Sequence, residues 1–439
     1  MRQCRNSAIR KESKTTLWGF VLYKLYEAQH MALAPFRYAA ELSLGWFGHP
    51  FSPFAYAPFA RRLAASSDLF LRVTQRYEKP AWDIPGADIE VALDRPFCKL
   101  IHFKQQQPGK TKVLLVAPLS GHHSTLLRDT VRAFLPEHDV WVTDWVDARM
   151  VPLSAGPFHL HDYVDYVREW IRFLSDAACP DLHVVSVCQP TVPVLAAISL
   201  MASRDEPQHP LTMIMMGGPI DARKSPTAVN NLATRKPFSW FEQNLIDRVP
   251  EKYPGYSRRV YPGFLQHLGF VAMNPTRHLS AHWDYFNQLM RGDGDSAESH
   301  RKFYDEYNAV LDMPAEYYLD TVKTVFKDFA LPKGRMFVRD ELVRPQAIRD
   351  TALLTIEGEL DDISGNGQTE AAHALCLNIP RDRREHFLAP GVGHYGIFAG
   401  RRWRELIYPR VRDFIKKHSR ASQHQPDQIY PPAKASSAR

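Results

Sequence analysis

The chain has 439 residues, 45% hydrophobic and 23% charged, with 33 prolines and 12% aromatics. That composition belongs to a folded globular protein with room for one large domain or two smaller ones, and it excludes a disordered or fibrous chain. The formal charge of +7 lies in scattered pairs and in the N-terminal arm rather than in a dense basic stripe, so nucleic acid is not an expected partner. Five cysteines (Cys4, Cys98, Cys179, Cys188 and Cys376) are odd in number, widely spaced and without a Cys-x-x-Cys pair. They argue against a disulfide framework and a structural zinc, and for a reducing compartment.

Residues 1–16 read as a flexible basic extension. The apolar run Leu17 to Tyr23 that follows is short for an export signal and precedes no clean cleavage site. No uninterrupted apolar stretch is long enough to span a bilayer. Residues 17–96 form an aromatic-rich N-terminal helical section. Trp18, Leu22, Leu25 and Tyr26, then Leu42, Leu44 and Trp46, recur at helical intervals, and Pro35 is expected to break the run. His49 to Pro58 is too rich in proline for regular helix, and Arg61 to Tyr77 reads as an amphipathic helix. This section could lie on an apolar surface, but packing against its own domain is the simpler expectation.

From residue 97 the pattern changes to strands alternating with helices. The expected strands are Phe97–Phe103, Lys112–Val116, Val140–Thr143, Leu182–Val187, Leu211–Met216, Ala352–Ile356 and Glu385–Leu388. Helices between them include Ser124–Phe134 and His161–Ser175. Short apolar strands between amphipathic helices imply a mostly parallel sheet covered on both faces. The alternation stops from Pro219 to about Pro345, an aromatic, loop-rich stretch that reads as a cap inserted near the carboxyl ends of the strands. The expected organisation is therefore a core in two parts, 97–218 and 346–418, interrupted by a cap at 219–345. A polar tail, 419–439, has the composition of a disordered segment.

Cys188 carries the chemistry. It lies between the strand Leu182–Val187 and a helical pattern beginning near Pro190, the junction held by the serine of Gly-x-Ser-x-Gly in α/β-hydrolases, with Ser186 and Pro190 replacing the glycines. Chain order in that fold is nucleophile, acid, histidine. Glu357-Gly358-Glu359-Leu360-Asp361-Asp362 and Pro390-Gly391-Val392-Gly393-His394-Tyr395 follow the last two strands in that order. The expected triad is Cys188 as thiolate nucleophile, His394 as base and Asp361 as the group that orients the imidazole. Asp362, His122, His123 and His386 compete for the partner roles. Oxyanion donors are expected from the backbone amide of Gln189 and from Leu119 or Ser120 in the loop after Val116. His122, His123 and Tyr395 are candidate substrate-binding residues. No metal site is expected.

These features, with Leu25-Tyr26-Glu27-Ala28-Gln29, Tyr77-Glu78-Lys79-Pro80, Ala117-Pro118-Leu119-Ser120-Gly121-His122, Ser186-Val187-Cys188-Gln189-Pro190, Gly217-Gly218-Pro219-Ile220-Asp221 and Val260-Tyr261-Pro262-Gly263-Phe264-Leu265-Gln266, resemble the intracellular poly(3-hydroxybutyrate) depolymerases from about Leu22 to Phe414. The resemblance implies an α/β-hydrolase whose cysteine nucleophile works with an aspartate and a histidine, roles that fall on Cys188, Asp361 and His394. It also implies a cytoplasmic enzyme on storage granules, with the polyester as partner. No cofactor is implied, although coenzyme A could serve as acyl acceptor in place of water, since a thioester exchanges readily with another thiol. The competing readings are a polyhydroxyalkanoate synthase-like acyltransferase, which usually keeps the glycines that Ser186 and Pro190 replace, and a noncatalytic granule-associated protein. Oligomeric state is not readable.

Overall fold

The computed structural model describes residues 21–49, 51–57, 59–105, 111–175 and 181–420. The expected extension 1–16, all but the first two residues of the tail 419–439, and Cys4 and Cys179 lie outside them.

In chain order, α1 (Val21–Gly48) and α2 (Ala60–Thr74) form a helical hairpin, joined through a 3-10 turn at Pro53–Tyr56. There follow β1 (Asp88–Asp94), β2 (Cys98–Lys104), β3 (Lys112–Val116), α3 (Arg128–Phe134), β4 (Asp139–Trp145), α4 (Leu160–Leu174), β5 (Leu182–Val187), α5 (Thr191–Ser203) and β6 (Thr212–Met216). A long cap containing α6 (Gly263–Met273), α7 (Pro275–Arg291) and α8 (Gly294–Asn308) comes next. Then β7 (Ala352–Gly358), β8 (Arg384–Ala389) and α9 (Tyr408–His418) complete the core.

The eight strands form one sheet in the order β1-β2-β4-β3-β5-β6-β7-β8. Strands β3 to β8 are parallel, while β2 is antiparallel to both β1 and β4. Every residue of β5, β6 and β7 is buried, which requires cover on both faces of the sheet. Helices α4 and α5 pack together. The Phe134 ring of α3 meets Tyr408 of α9 edge-on at 5.2 Å. Helix α5 is buried from Thr191 to Met201, so it has no polar face and runs as a core helix directly behind the elbow.

Three expectations are corrected. The section expected to be helical to residue 96 contains β1, so the sheet begins at Asp88. This edge strand is mostly exposed, and its register slips between Val91 and Leu93, so the clean alternation that marks a strand is lost. Pro35 does not break α1, which runs through it. The proline removes one helical hydrogen bond. The Arg37 guanidinium donates to the His30 carbonyl at 3.0 Å and the Thr74 carbonyl at 3.3 Å, tying the turn before the proline to the end of α2. The stretch expected to be loop-rich is largely helical from Gly263 to Asn308. Its aromatics, spaced for mutual packing of three helices, obscured the period.

The base of the hairpin is fixed by buried polar contacts. The Tyr23 amide donates to Asp247 at 2.8 Å, and its hydroxyl to Asp312 at 3.0 Å. Asp312 also accepts from the Gly263 amide, and its amide donates to Asp147, which pairs with Arg149. Burial raises the Asp312 carboxyl, and it pushes Asp147 up to about 7 with help from the Asp312 charge. No helix among the described residues is long and apolar enough to cross a membrane.

Candidate active site

Cys188 sits on the tight turn between β5 and α5 with φ of 69°, a left-handed conformation that a non-glycine residue holds only under constraint. The constraint is visible. The Cys188 amide donates to the Met216 carbonyl at 2.7 Å, and its carbonyl accepts from Thr191 at 3.2 Å. Pro190 is the N-cap, one residue ahead of the first helical position. The sulfur is thereby set at the N-terminus of a buried helix, where negative charge is favoured.

The elbow works without its two glycines because the neighbouring strand end supplies the space. Ser186 is buried and donates to Ile214 at 3.3 Å. A Cβ on Gly218 would come within 1.9 Å of Thr191 Oγ1 and 2.5 Å of the Cys188 carbonyl oxygen. Gly217, at φ of 56°, would place a Cβ 2.5 Å from Ile397 and 3.3 Å from both Asp361 Oδ2 and His394 Cε1. No role was read for these glycines from sequence, although two of them directly after an apolar strand are a signal of close approach.

His394 and Asp361 are both buried, and His394 Nδ1 lies 2.7 Å from Asp361 Oδ2. The other Asp361 oxygen accepts from the backbone amides of Ile363 at 2.9 Å and Ser364 at 2.8 Å, which fixes the carboxylate plane. Burial alone would lower the His394 pKa, but the Asp361 charge and the adjacent Cys188 outweigh it and hold the imidazole well above its ordinary range. The arrangement therefore favours an imidazolium between a carboxylate and a sulfur. Elsewhere in the core, burial raises the Cys98 thiol far above its ordinary range and pushes Cys376 up to about 12, so both stay protonated.

The acid turn has its own support, which sequence reading missed. The buried Glu357 carboxylate accepts from the amides of Gly367 at 2.7 Å, Thr369 at 2.6 Å and Glu370 at 3.0 Å. Of the competing partners, Asp362 is exposed and makes no bond to His394. His386 lies against Thr355 Oγ1 at 2.8 Å on the edge of the sheet.

Among the described residues, the backbone amides of Gln189, Leu119 and Ser120 donate to no protein acceptor, as donors kept for an oxyanion must be. The loop carrying Leu119 and Ser120 is held by the cap. The Leu311 amide donates to the Gly121 carbonyl at 2.7 Å, His122 bridges to Val310, and Gly121, at φ of 108°, faces Gln266 so closely that a Cβ would lie 2.7 Å from its Oε1. On the inner side, Tyr317 is buried with its hydroxyl facing Gln189 and Thr321, without a hydrogen bond of ordinary geometry to either.

A cavity of about 340 Å³ lies in front of His394. The ends of α6, α7 and α8 contribute Phe270, Arg277 and Tyr307, and the loops after β7 and β8 contribute Asp362, His394 and Tyr395. Tyr395 thus lines it. His122 and His123 do not: His122 stacks on Phe270 at 4.9 Å and bonds the Tyr307 carbonyl at 3.1 Å. Burial holds His122 down to about 4 and His123 to about 3, so both are neutral groups packed behind the site.

The strand order, the strained residue at the β5–α5 turn and the acid and histidine after β7 and β8 define an α/β-hydrolase, a frame for ester and acyl-transfer chemistry. Residues 217–419 match the family described as PHB de-polymerase C-terminus. That match spans a little under half of the chain and, with the α/β-hydrolase frame, supports an ester hydrolase related to the poly(3-hydroxybutyrate) depolymerases. No curated protein matches it. Solved structures with some likeness include a monoacylglycerol lipase of Paleococcus ferrophilus (12% identity, TM-score 0.40, covering 71% of this chain and 97% of that one). A thermophilic esterase from Thermogutta terrifontis (13%, 0.39, 79% and 99%) and a thioesterase domain from the curacin biosynthetic pathway (10%, 0.41, 75% and 99%) are others.

Proposed function

We propose that the protein cleaves the ester bonds of stored poly(3-hydroxybutyrate) through a thioester on Cys188. The observation that carries this reading is the buried Asp361–His394 pair beside a strained cysteine, within a chain whose residues 217–419 match the depolymerase family. Cys188 sulfur attacks the ester carbonyl, and the developing oxyanion is met by the amides of Gln189 and of Leu119 or Ser120. His394 Nε2 gives its proton to the departing alcohol. It then takes one from the second acceptor, water, whose oxygen displaces the sulfur from the acyl carbon, so that the hydroxyacid leaves and the Cys188 thiolate and His394 imidazolium are restored. Throughout, Asp361 keeps the Nδ1 proton in place and stabilises the imidazolium. Coenzyme A in the role of second acceptor would release the hydroxyacyl thioester by the same proton path.

Within this reading the enzyme works at the surface of polymer granules. The test is release of soluble 3-hydroxybutyrate or its short oligomers from amorphous granules, in parallel with incubation of the enzyme with 3-hydroxybutyryl-CoA. Release from granules with no polymer formed from the thioester supports depolymerisation. Polymer formed from the thioester would replace it with a synthase-like activity. Unaltered granule turnover by a Cys188→Ala protein that still binds granules would leave only a noncatalytic coat role.

A further inference from the structure

From Leu42 to Ala60, in a chain that is 23% charged, there is no Asp, Glu, Lys or Arg. This uncharged stretch is the tip of the α1–α2 hairpin, and it carries the two most exposed large apolar side chains among the described residues, Phe51 at 90% and Tyr56 at 81%, with Phe59 at 58% and Trp46 at 55% beside them. Soluble chains scatter exposed apolar residues singly, whereas a contiguous group marks a contact surface. The rings are not loose. Trp46 and Phe47 hold Phe54 at 5.3 and 6.4 Å, and Phe47 holds Phe59 at 5.6 Å, so the tip presents a preformed aromatic cluster. Beside it runs a shallow groove of about 300 Å³ whose walls include Tyr38, Leu42 and Trp46.

The hairpin is fixed to the body that carries the site. Asp68 of α2 accepts from Tyr285 of α7 at 2.6 Å and pairs with Arg301 of α8 at 3.0 Å, and Arg72 pairs with Asp305 at 3.0 Å. Glu27 of α1 pairs with Arg76 and Lys252. The first turn of α7 lines the cavity in front of His394, and further along the same helix Leu279 and Trp283 are open to solvent. Polar anchoring therefore faces inward at the base, and uncharged aromatic surface faces outward at the tip.

We propose that the hairpin tip, Trp46 to Phe59, is the surface by which the enzyme seats on its insoluble polyester, separate from the catalytic cavity. The inference rests on the depolymerase reading above. An amorphous polyester presents methyl, methylene and ester groups with no charge, and a partner that buries uncharged aromatics against it loses no ion hydration. The tip matches in that respect and supplies rings with amphipathic edges for the ester carbonyls.

The test uses the full chain with Phe51→Glu and Tyr56→Glu together, two side chains so exposed that their replacement costs little packing. Co-sedimentation with amorphous poly(3-hydroxybutyrate) granules, and turnover of those granules, are each expected to fall at least tenfold. Turnover of a soluble p-nitrophenyl 3-hydroxybutyrate ester is expected to stay within twofold. Granule binding equal to that of the native chain overturns the inference, as does an equal loss on the soluble ester by a variant whose thermal unfolding matches that of the native chain. A native dimer that the variant converts to monomer while granule binding persists assigns the tip to a second copy, and equally tight binding to neutral phosphatidylcholine vesicles assigns it to lipid. Because sedimentation needs no catalysis, failure of the native chain to hydrolyse either substrate defeats the depolymerase reading while the surface is still judged by binding.

Discussion

Asp361→Asn isolates what the carboxylate does for the imidazole. In the native site one Asp361 oxygen accepts two backbone amides and the other accepts His394 Nδ1. Asparagine can keep its carbonyl oxygen on the Ile363 and Ser364 amides, so the turn and the fold are expected to survive. Its NH2 group then faces Nδ1 and forces the proton onto Nε2, the nitrogen that must act on the sulfur and on the acceptor. The same change in a serine triad costs about 10⁴ in kcat, which is about 5.5 kcal/mol of barrier. A loss of that order is predicted here, in steady-state hydrolysis of a soluble 3-hydroxybutyrate ester, with thermal unfolding shifted only slightly. The sign of the pH effect follows from the same contact. The Asp361 charge raises the His394 pKa, so its removal lowers that pKa, and the alkaline limb of the residual kcat/KM profile moves to lower pH. Retention of more than about a tenth of the activity, or an alkaline limb that does not move, would refute the assignment of Asp361 as partner. A comparable loss in Asp362→Asn, with Asp361→Asn active, would transfer the role to the neighbouring residue.

Other outcomes follow from neighbouring contacts. Gly218→Ala must displace Thr191 or the Cys188 carbonyl, and displacement of a reacting group by about 1 Å costs about 10²-fold; stopped-flow or steady-state kinetics should show that loss in kcat with secondary structure retained by circular dichroism. Glu357→Gln turns a donor toward one of the amides its carboxylate receives; a loss of about 1–3 kcal/mol in urea unfolding is expected, and unchanged stability would contradict the role of Glu357 in holding the acid turn. Tyr23→Phe removes one partner of the buried Asp312, and an unfolding free energy lower by about 1–3 kcal/mol is expected, with α1 exchanging amide hydrogens faster than in the native chain.

The central parallel strands were legible because they are short apolar runs buried on both faces, and Lys112–Val116 and Leu182–Val187 stand where their residue types place them. The edge strand Asp88–Asp94 was not, since it is mostly exposed and carries Asp88, Glu90 and Asp94. Helix α1 was cut at Pro35 on local grounds, while Arg37 ties the helix next to that proline to the end of α2, a tertiary contact that no local pattern carries. At the site, chain order brought Cys188, Asp361 and His394 under suspicion. The supports were hidden for a different reason: Gly217, Gly218 and Gln266 act through distances between segments far apart in the chain, and Glu357 through loop amides that follow no strand or helix period. His122 and His123 attracted notice as polar residues in a promising loop, and burial turned them into packing groups. The exposed aromatics of the hairpin looked in sequence like core, because spacing alone does not say which side of a helix is covered.

The central claim is a thioester on Cys188. Native enzyme and Cys188→Ala should be mixed with p-nitrophenyl 3-hydroxybutyrate, quenched in acid within the first turnover, digested and read by mass spectrometry. The account predicts a 3-hydroxybutyryl group on the peptide holding Cys188 in the native enzyme, released by hydroxylamine, with no adduct and no turnover in Cys188→Ala. An adduct on another residue, or sustained turnover by Cys188→Ala, would contradict it.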